Sequence, residues 1–232
     1  MQAAGCGRQG HHGPVFTAGT AADNVPRCRL AQHNRGEDVS EAVLEWTAVA
    51  FSIAGVWLMV QRRLLGWPLG LVAVALYTVV FAQARLYADA LLQLVFGGFV
   101  LYGWYHWRRQ AAADGRPSVV ALPTVTLCRD LALGLAGGLT LGALLHTGTD
   151  ADLPWLDSLL AGFSLVAQWW QARRHAAAWA MWIAVDVAYI GLYAHKGLHA
   201  TALLYLVFIA LAARGLYSWS RAARQAAQTE AG

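Results

Sequence analysis

The strongest chemical feature in this 232-residue sequence is a carboxylate inside an apolar run. Asp186 follows Trp182 by four residues and precedes Tyr189 by three and Tyr193 by seven. On a helix this spacing puts all four on one face, and Trp179 extends the face by a turn. An acid framed by aromatic rings suits a small cationic aromatic ligand, with the charge near Asp186 and the ring stacked on Trp182 or Tyr189. The same carboxylate also fits a proton carrier, or a structural acceptor for neighbouring helices. Gln93 and Gln168 lie in other apolar runs. Their amides suit a ligand amide or a ribose hydroxyl, and equally suit hydrogen bonding between helices. Tyr77 and Tyr205 either add hydroxyls to the same cavity or pack in the core.

Catalytic and metal chemistry has no candidate. The sequence has no Ser/His/Asp set, P-loop, H-E-x-x-H motif, C-x-x-C motif or mid-span histidine pair. The chain therefore reads as no enzyme, with no metal site and no cofactor. Cys6 and Cys28 share the polar N-terminal stretch; pairing them would need an oxidising compartment, and two cysteines carry little weight. The formal charge of +4 is split into short clusters between apolar runs, which is the pattern of membrane loops and not of a nucleic-acid surface.

The elements that would position these residues follow from composition. Hydrophobic residues make up 58% and charged residues 13%, against about 25% charged in soluble domains. Stretches 44–61, 67–83, 89–107, 128–146, 156–172, 179–195 and 200–219 are each apolar enough for a membrane span. They lack period-2 alternation, so they read as helices, giving an all-α, polytopic protein with seven transmembrane helices. Residues 1–43 form a polar tail expected to be disordered, and 222–232 a short cytoplasmic tail. Arg62, Arg63, Arg108, Arg109, Arg173, Arg174, Arg221 and Arg224 fall on one side. The other side's short loops hold Arg85 and Lys196, with Asp150 and Asp152. The arginine side reads as cytoplasmic, which puts the N-terminus outside and the C-terminus inside. Trp67, Trp104, Trp107, Trp179 and Trp219 are expected in an interfacial belt, Asp89 and Thr201 as N-caps, and Arg214 as a snorkelling cation.

The chain repeats itself. A shift of 112 residues aligns 44–109 with 156–221 without a gap. Trp57, Trp67 and Trp107 meet Trp169, Trp179 and Trp219, and Arg62 and Tyr77 meet Arg174 and Tyr189. Identities number about 20 over roughly 66 positions. A three-helix unit ends on the side opposite its start, so the intervening helix 128–146 makes the two units parallel. This 3+1+3 plan of parallel repeats is SWEET-like, and such transporters bind substrate near the midplane between the repeats. The polar stripe breaks the symmetry: Asp186 has Val74 as its mate.

Three segments resemble the PnuC vitamin transporters: LYADALLQLVFGGFVLYGWYHW (86–107), WLDSLLAGFSLVAQ (155–168) and WAMWIAVDVAYIGLYAHKGLHATALLYLVF (179–208). The W-x-x-W of helix six, with a polar residue four positions on, is the most specific of these features. The resemblance covers residues 44–221. It implies a bacterial inner-membrane transporter for nicotinamide riboside, working by facilitated diffusion. A cytoplasmic kinase would trap the product and feed NAD synthesis, and the assembly would be a homotrimer. It places Trp182, Asp186, Tyr189 and Gln93 in the substrate cavity. Members of that family carry Asn where this chain has Asp186, Ser where it has Tyr189, and Asn at the position of Val74. Thiamine, another aromatic cation, is thus a second substrate reading. A ligand-sensing membrane receptor on the same helical plan is the reading of a different class.

Overall fold

The computed structural model describes residues 25–83, 87–114, 118–148, 153–195 and 199–231, and most of their side chains from Val43 onward. These residues form seven helices: α1 (Val25–Val60), α2 (Gly66–Gln83), α3 (Tyr87–Asp114), α4 (Thr124–Gly148), α5 (Pro154–Ala172), α6 (Ala177–His195) and α7 (His199–Ala231). By contact the chain divides into Met1–Ser40 and Glu41–Gly232. Of the first, only the helical start of α1 is described, from within the stretch expected as a tail; all that follows concerns the second. The Cys6–Cys28 pairing lies outside the described side chains.

Three helices pass as spans on length and hydropathy alone, at Val43–Val60, Thr124–Gly148 and Ala202–Ala226, and two shorter apolar stretches are Gly66–Val80 and Ala177–Leu192. The helices that fall below that threshold, α3 and α5, carry polar and aromatic side chains that turn toward protein. α5 is the clearest case: it packs on α3, α4 and α6 and buries Ser164, Gln168, Gln171 and Trp170. A helix enclosed by other helices does not need a lipid-compatible face all round.

α1 and α5 stop in the same way. Arg62 takes φ 57° and Arg174 φ 68°, both left-handed. Arg63 N–H donates to Leu58 and Arg62 N–H to Met59; His175 N–H donates to Trp170 and Arg174 N–H to Gln171. This is the Schellman closure, with arginine where glycine is usual. The Arg174 side chain is held by the carbonyl and hydroxyl of Ser118. Val120 pairs with His175, so the segment entering α4 is tied to the α5–α6 turn.

α4 meets α5 through small residues. Among its described positions only Asp130, Gly134, Gly138 and Gly142 are buried. A Cβ on Gly134 would stand 2.7 Å from Val166, and one on Gly138 2.9 Å from the Leu159 backbone. Without a hydrophobic drive in lipid, helices associate by such close backbone approach. Asp130, a buried acid that residue type and spacing do not single out, accepts from the Trp170 indole at 2.9 Å and from Arg129 at 2.8 Å. Arg129 therefore holds its charge against Asp130. α3 and α7 begin at Tyr87 and His199, so Asp89 and Thr201 lie within first turns and not at caps.

Four of the five tryptophans expected at the lipid interface are instead the core; Trp104 is only partly buried. Trp67, Trp107, Trp179 and Trp219 are each at most 1% exposed. Trp67 packs edge-on to Trp107 at 5.3 Å, and Trp179 edge-on to Trp219 at 5.4 Å. Gly103 and Gly215 make this possible: the rings of Trp67 and Trp179 occupy the space where their Cβ atoms would be. Arg214 is exposed and lies over the Trp57 ring at 5.0 Å.

Candidate functional site

A partly open cavity of about 400 Å³ is lined by residues of α1, α2, α3, α5, α6 and α7. Its lining runs along α2 and α6 from Trp67 and Trp179, in their first turns, to Tyr77 and Tyr189. Ten residues of helix separate them, about 15 Å.

The structure brings together Trp182, Asp186, Tyr189, Gln93, Gln168, Tyr77, Trp179 and Tyr205 on this cavity. The Tyr193 side chain lies outside the described residues. Asp186 is 6% exposed, and among the described residues no basic group pairs with it. Tyr189 leans on Tyr205 with ring centroids 5.1 Å apart. Trp182 donates its indole N–H to Gln171 Oε1 at 2.7 Å. Gln171, Ser164 and Ser52 also line the cavity. Gln171 was not among the expected site residues, although its position three residues after Gln168 puts it on the same helical face.

Residues 112 apart line the cavity in pairs; Ser52/Ser164, Trp67/Trp179 and Tyr77/Tyr189 are identical, and four others are chemically unequal. Val56, Met59, Gly70 and Val74 face it from α1 and α2. Their counterparts on α5 and α6 are Gln168, Gln171, Trp182 and Asp186. At these four positions the first three-helix unit is apolar and the second carries two amides, an indole and the acid; Ser52, Tyr77 and Gln93 add polar groups from the first unit elsewhere. A Cβ placed on Gly70 would meet nothing within 4 Å, so this glycine leaves space where its counterpart places an indole.

The sequence profile described as Nicotinamide mononucleotide transporter matches residues 42–221. The chain belongs to this family. Its members are transporters and not enzymes, and the chain is a multi-pass bacterial membrane protein. Within the family, it is 25% identical over 210 residues to the nicotinamide riboside transporter PnuC of Escherichia coli, covering 78% of this chain and 88% of that one. It is 27% identical over 162 residues to the riboflavin/roseoflavin transporter RibM of Streptomyces davaonensis, covering 68% of this chain and 76% of that one. The crystal structure of the vitamin B3 transporter PnuC superposes with a TM-score of 0.66 at 22% identity, covering 90% of this chain and 95% of that one. The chain shares that seven-helix membrane fold.

Proposed function

We propose that this chain carries nicotinamide riboside across the bacterial inner membrane by facilitated diffusion, through the cavity between its two three-helix units. The observation that carries this reading is the unequal cavity: at four pairs of equivalent positions the first unit is apolar and the second bears Asp186, Trp182 and two glutamines. A pyridinium ring with ribose hydroxyls meets those needs. The ring stacks on Trp182 or Tyr189, its charge is drawn by Asp186, and the hydroxyls meet Gln93, Gln168 and the tyrosines. Trp179, Tyr77 and Tyr205 add to its aromatic surround, and Tyr193, four residues beyond Tyr189, is assigned to the site by its spacing in the sequence alone.

The mechanism is alternating access by parallel repeats of SWEET-like 3+1+3 plan, 44–109 and 156–221, joined by the helix 128–146. Supporting this, both units end their first helix in the same left-handed arginine. With the N-terminus outside and the C-terminus cytoplasmic, the four core tryptophans close the cytoplasmic end of the cavity. The family resemblance further suggests a homotrimer and a cytoplasmic kinase that traps the nucleoside for NAD synthesis.

The test is flux in proteoliposomes. Labelled nicotinamide riboside should exchange across the membrane at the same rate with and without a pH gradient. Accumulation driven by that gradient, without a kinase, would sink facilitated diffusion. Binding without exchange would favour a receptor. Thiamine is the second reading, because Asp186 suits any aromatic cation; competition by thiamine against labelled nicotinamide riboside separates the two.

A further inference from the structure

We propose that Gln171 reads a carbonyl oxygen on the substrate, and that Trp182 fixes its amide in the donating orientation. The proposal rests on the cavity being the substrate site, and it narrows the substrate class to aromatic cations that carry a carbonyl group.

Gln171 is 6% exposed and lines the cavity. Its carbonyl end accepts the Trp182 indole N–H at 2.7 Å. An indole N–H only donates, so the amide oxygen must be the atom turned toward it. That leaves the NH₂ end of the same rigid amide for any other partner. A ligand group meeting Gln171 must therefore accept a hydrogen bond. Asp186, one turn beyond Trp182 on α6, is the opposite case: an ionised carboxylate only accepts. The cavity thus presents a fixed donor from α5 and, on α6 one turn beyond the indole that fixes it, an acceptor. A ring carrying positive charge and a carboxamide oxygen satisfies both; a cation bearing only amine substituents leaves the Gln171 donor unmet. The counterpart of Gln171 is Met59, so the first unit does not offer the same contact there.

Gln171 also positions Trp182. Losing its oxygen would free the indole to turn, which weakens every stacked ligand alike. Loss of the reading role would act on carbonyl-bearing ligands alone, and the experiment separates these effects. Binding to the purified full chain is measured for nicotinamide riboside and for N-ribosylpyridinium, which keeps the ring, charge and ribose but lacks the carboxamide. The unmodified chain should bind nicotinamide riboside about tenfold more tightly. Gln171→Met should bring the two affinities within about threefold of each other. Gln171→Glu keeps an acceptor for Trp182 and removes the donor, so it should lose the same preference even if Gln171→Met fails to fold. A tenfold preference that survives in either folded variant overturns the proposal, as does equal binding of the two probes by the unmodified chain. If the unmodified chain binds neither probe, the substrate reading itself fails and this inference falls with it.

Discussion

Trp107 and Trp219 meet with ring centroids 5.6 Å apart, and each indole reaches across to the other unit. Trp107 donates to the Ala172 carbonyl at 3.1 Å, and Trp219 to the Val60 carbonyl at 3.2 Å. Ala172 and Val60 are the last residues of α5 and α1, 112 positions apart like the tryptophans themselves. The third helix of each unit therefore satisfies the open C-terminal end of the other unit's first helix. The contact is reciprocal, and it ties the two units together at one end of the cavity.

Trp107→Phe should lower stability by about 1–3 kcal/mol, since the Ala172 carbonyl loses this donor; Trp219→Phe should cost less, because Ser218 also donates to the Val60 carbonyl at 3.3 Å. Thermal unfolding in detergent checks this. Trp219→Phe combined with Ser218→Ala should bring the loss up to that of Trp107→Phe; a neutral result for Trp107→Phe would mean that the reciprocity carries no energy.

Gly103→Ala and Gly215→Ala should each destabilise by about 1–3 kcal/mol, because the added methyl overlaps the ring of Trp67 or Trp179. Gly98→Ala is the control: open space surrounds its Cβ position, and alanine is the better helix former. It should leave the unfolding temperature unchanged or raise it.

Asp186→Asn should leave the fold intact and weaken nicotinamide riboside binding about ten- to a hundredfold, the scale of losing an interaction with a charged group. The uncharged 1,4-dihydro form of the same nucleoside should lose far less. Calorimetric binding of both ligands to both proteins decides it. Equal losses for the two would show that charge is not what Asp186 recognises.

Asp130→Ala should cost stability without changing ligand preference. It strands the buried Trp170 N–H, worth about 1–3 kcal/mol, and frees Arg129. The lining of the central cavity does not include it. An unfolding temperature equal to that of the unmodified chain would remove Asp130 as the clasp between α4 and α5.

The expected site residues are legible because charge and amides stand out in apolar runs. Asp186, Gln93 and Gln168 announce themselves by chemical type, and helical periodicity links Asp186 to Trp182 and Tyr189. Gln171 escapes notice because it sits beside the arginines that end α5, where polar residues are ordinary. Asp130 escapes notice for the same reason, next to Arg129 at the start of α4. Burial is what distinguishes both, and burial depends on neighbours distant in sequence.

The amino-acid sequence by itself determined seven helices, a repeat with a 112-residue offset, and an acid in the second unit without an acidic counterpart in the first. Those properties are local or periodic, so lipid-compatible length and residue type suffice to read them. Only the tertiary structure decided what the tryptophans do. By composition they suit a membrane interface, where an amphipathic indole is at ease. In the folded chain Gly103 and Gly215 open room for two of the rings, and carbonyls more than sixty residues away in sequence take up the N–H groups of the other two. A ring's environment is set by which helices come together around it, and no periodicity along one helix carries that information.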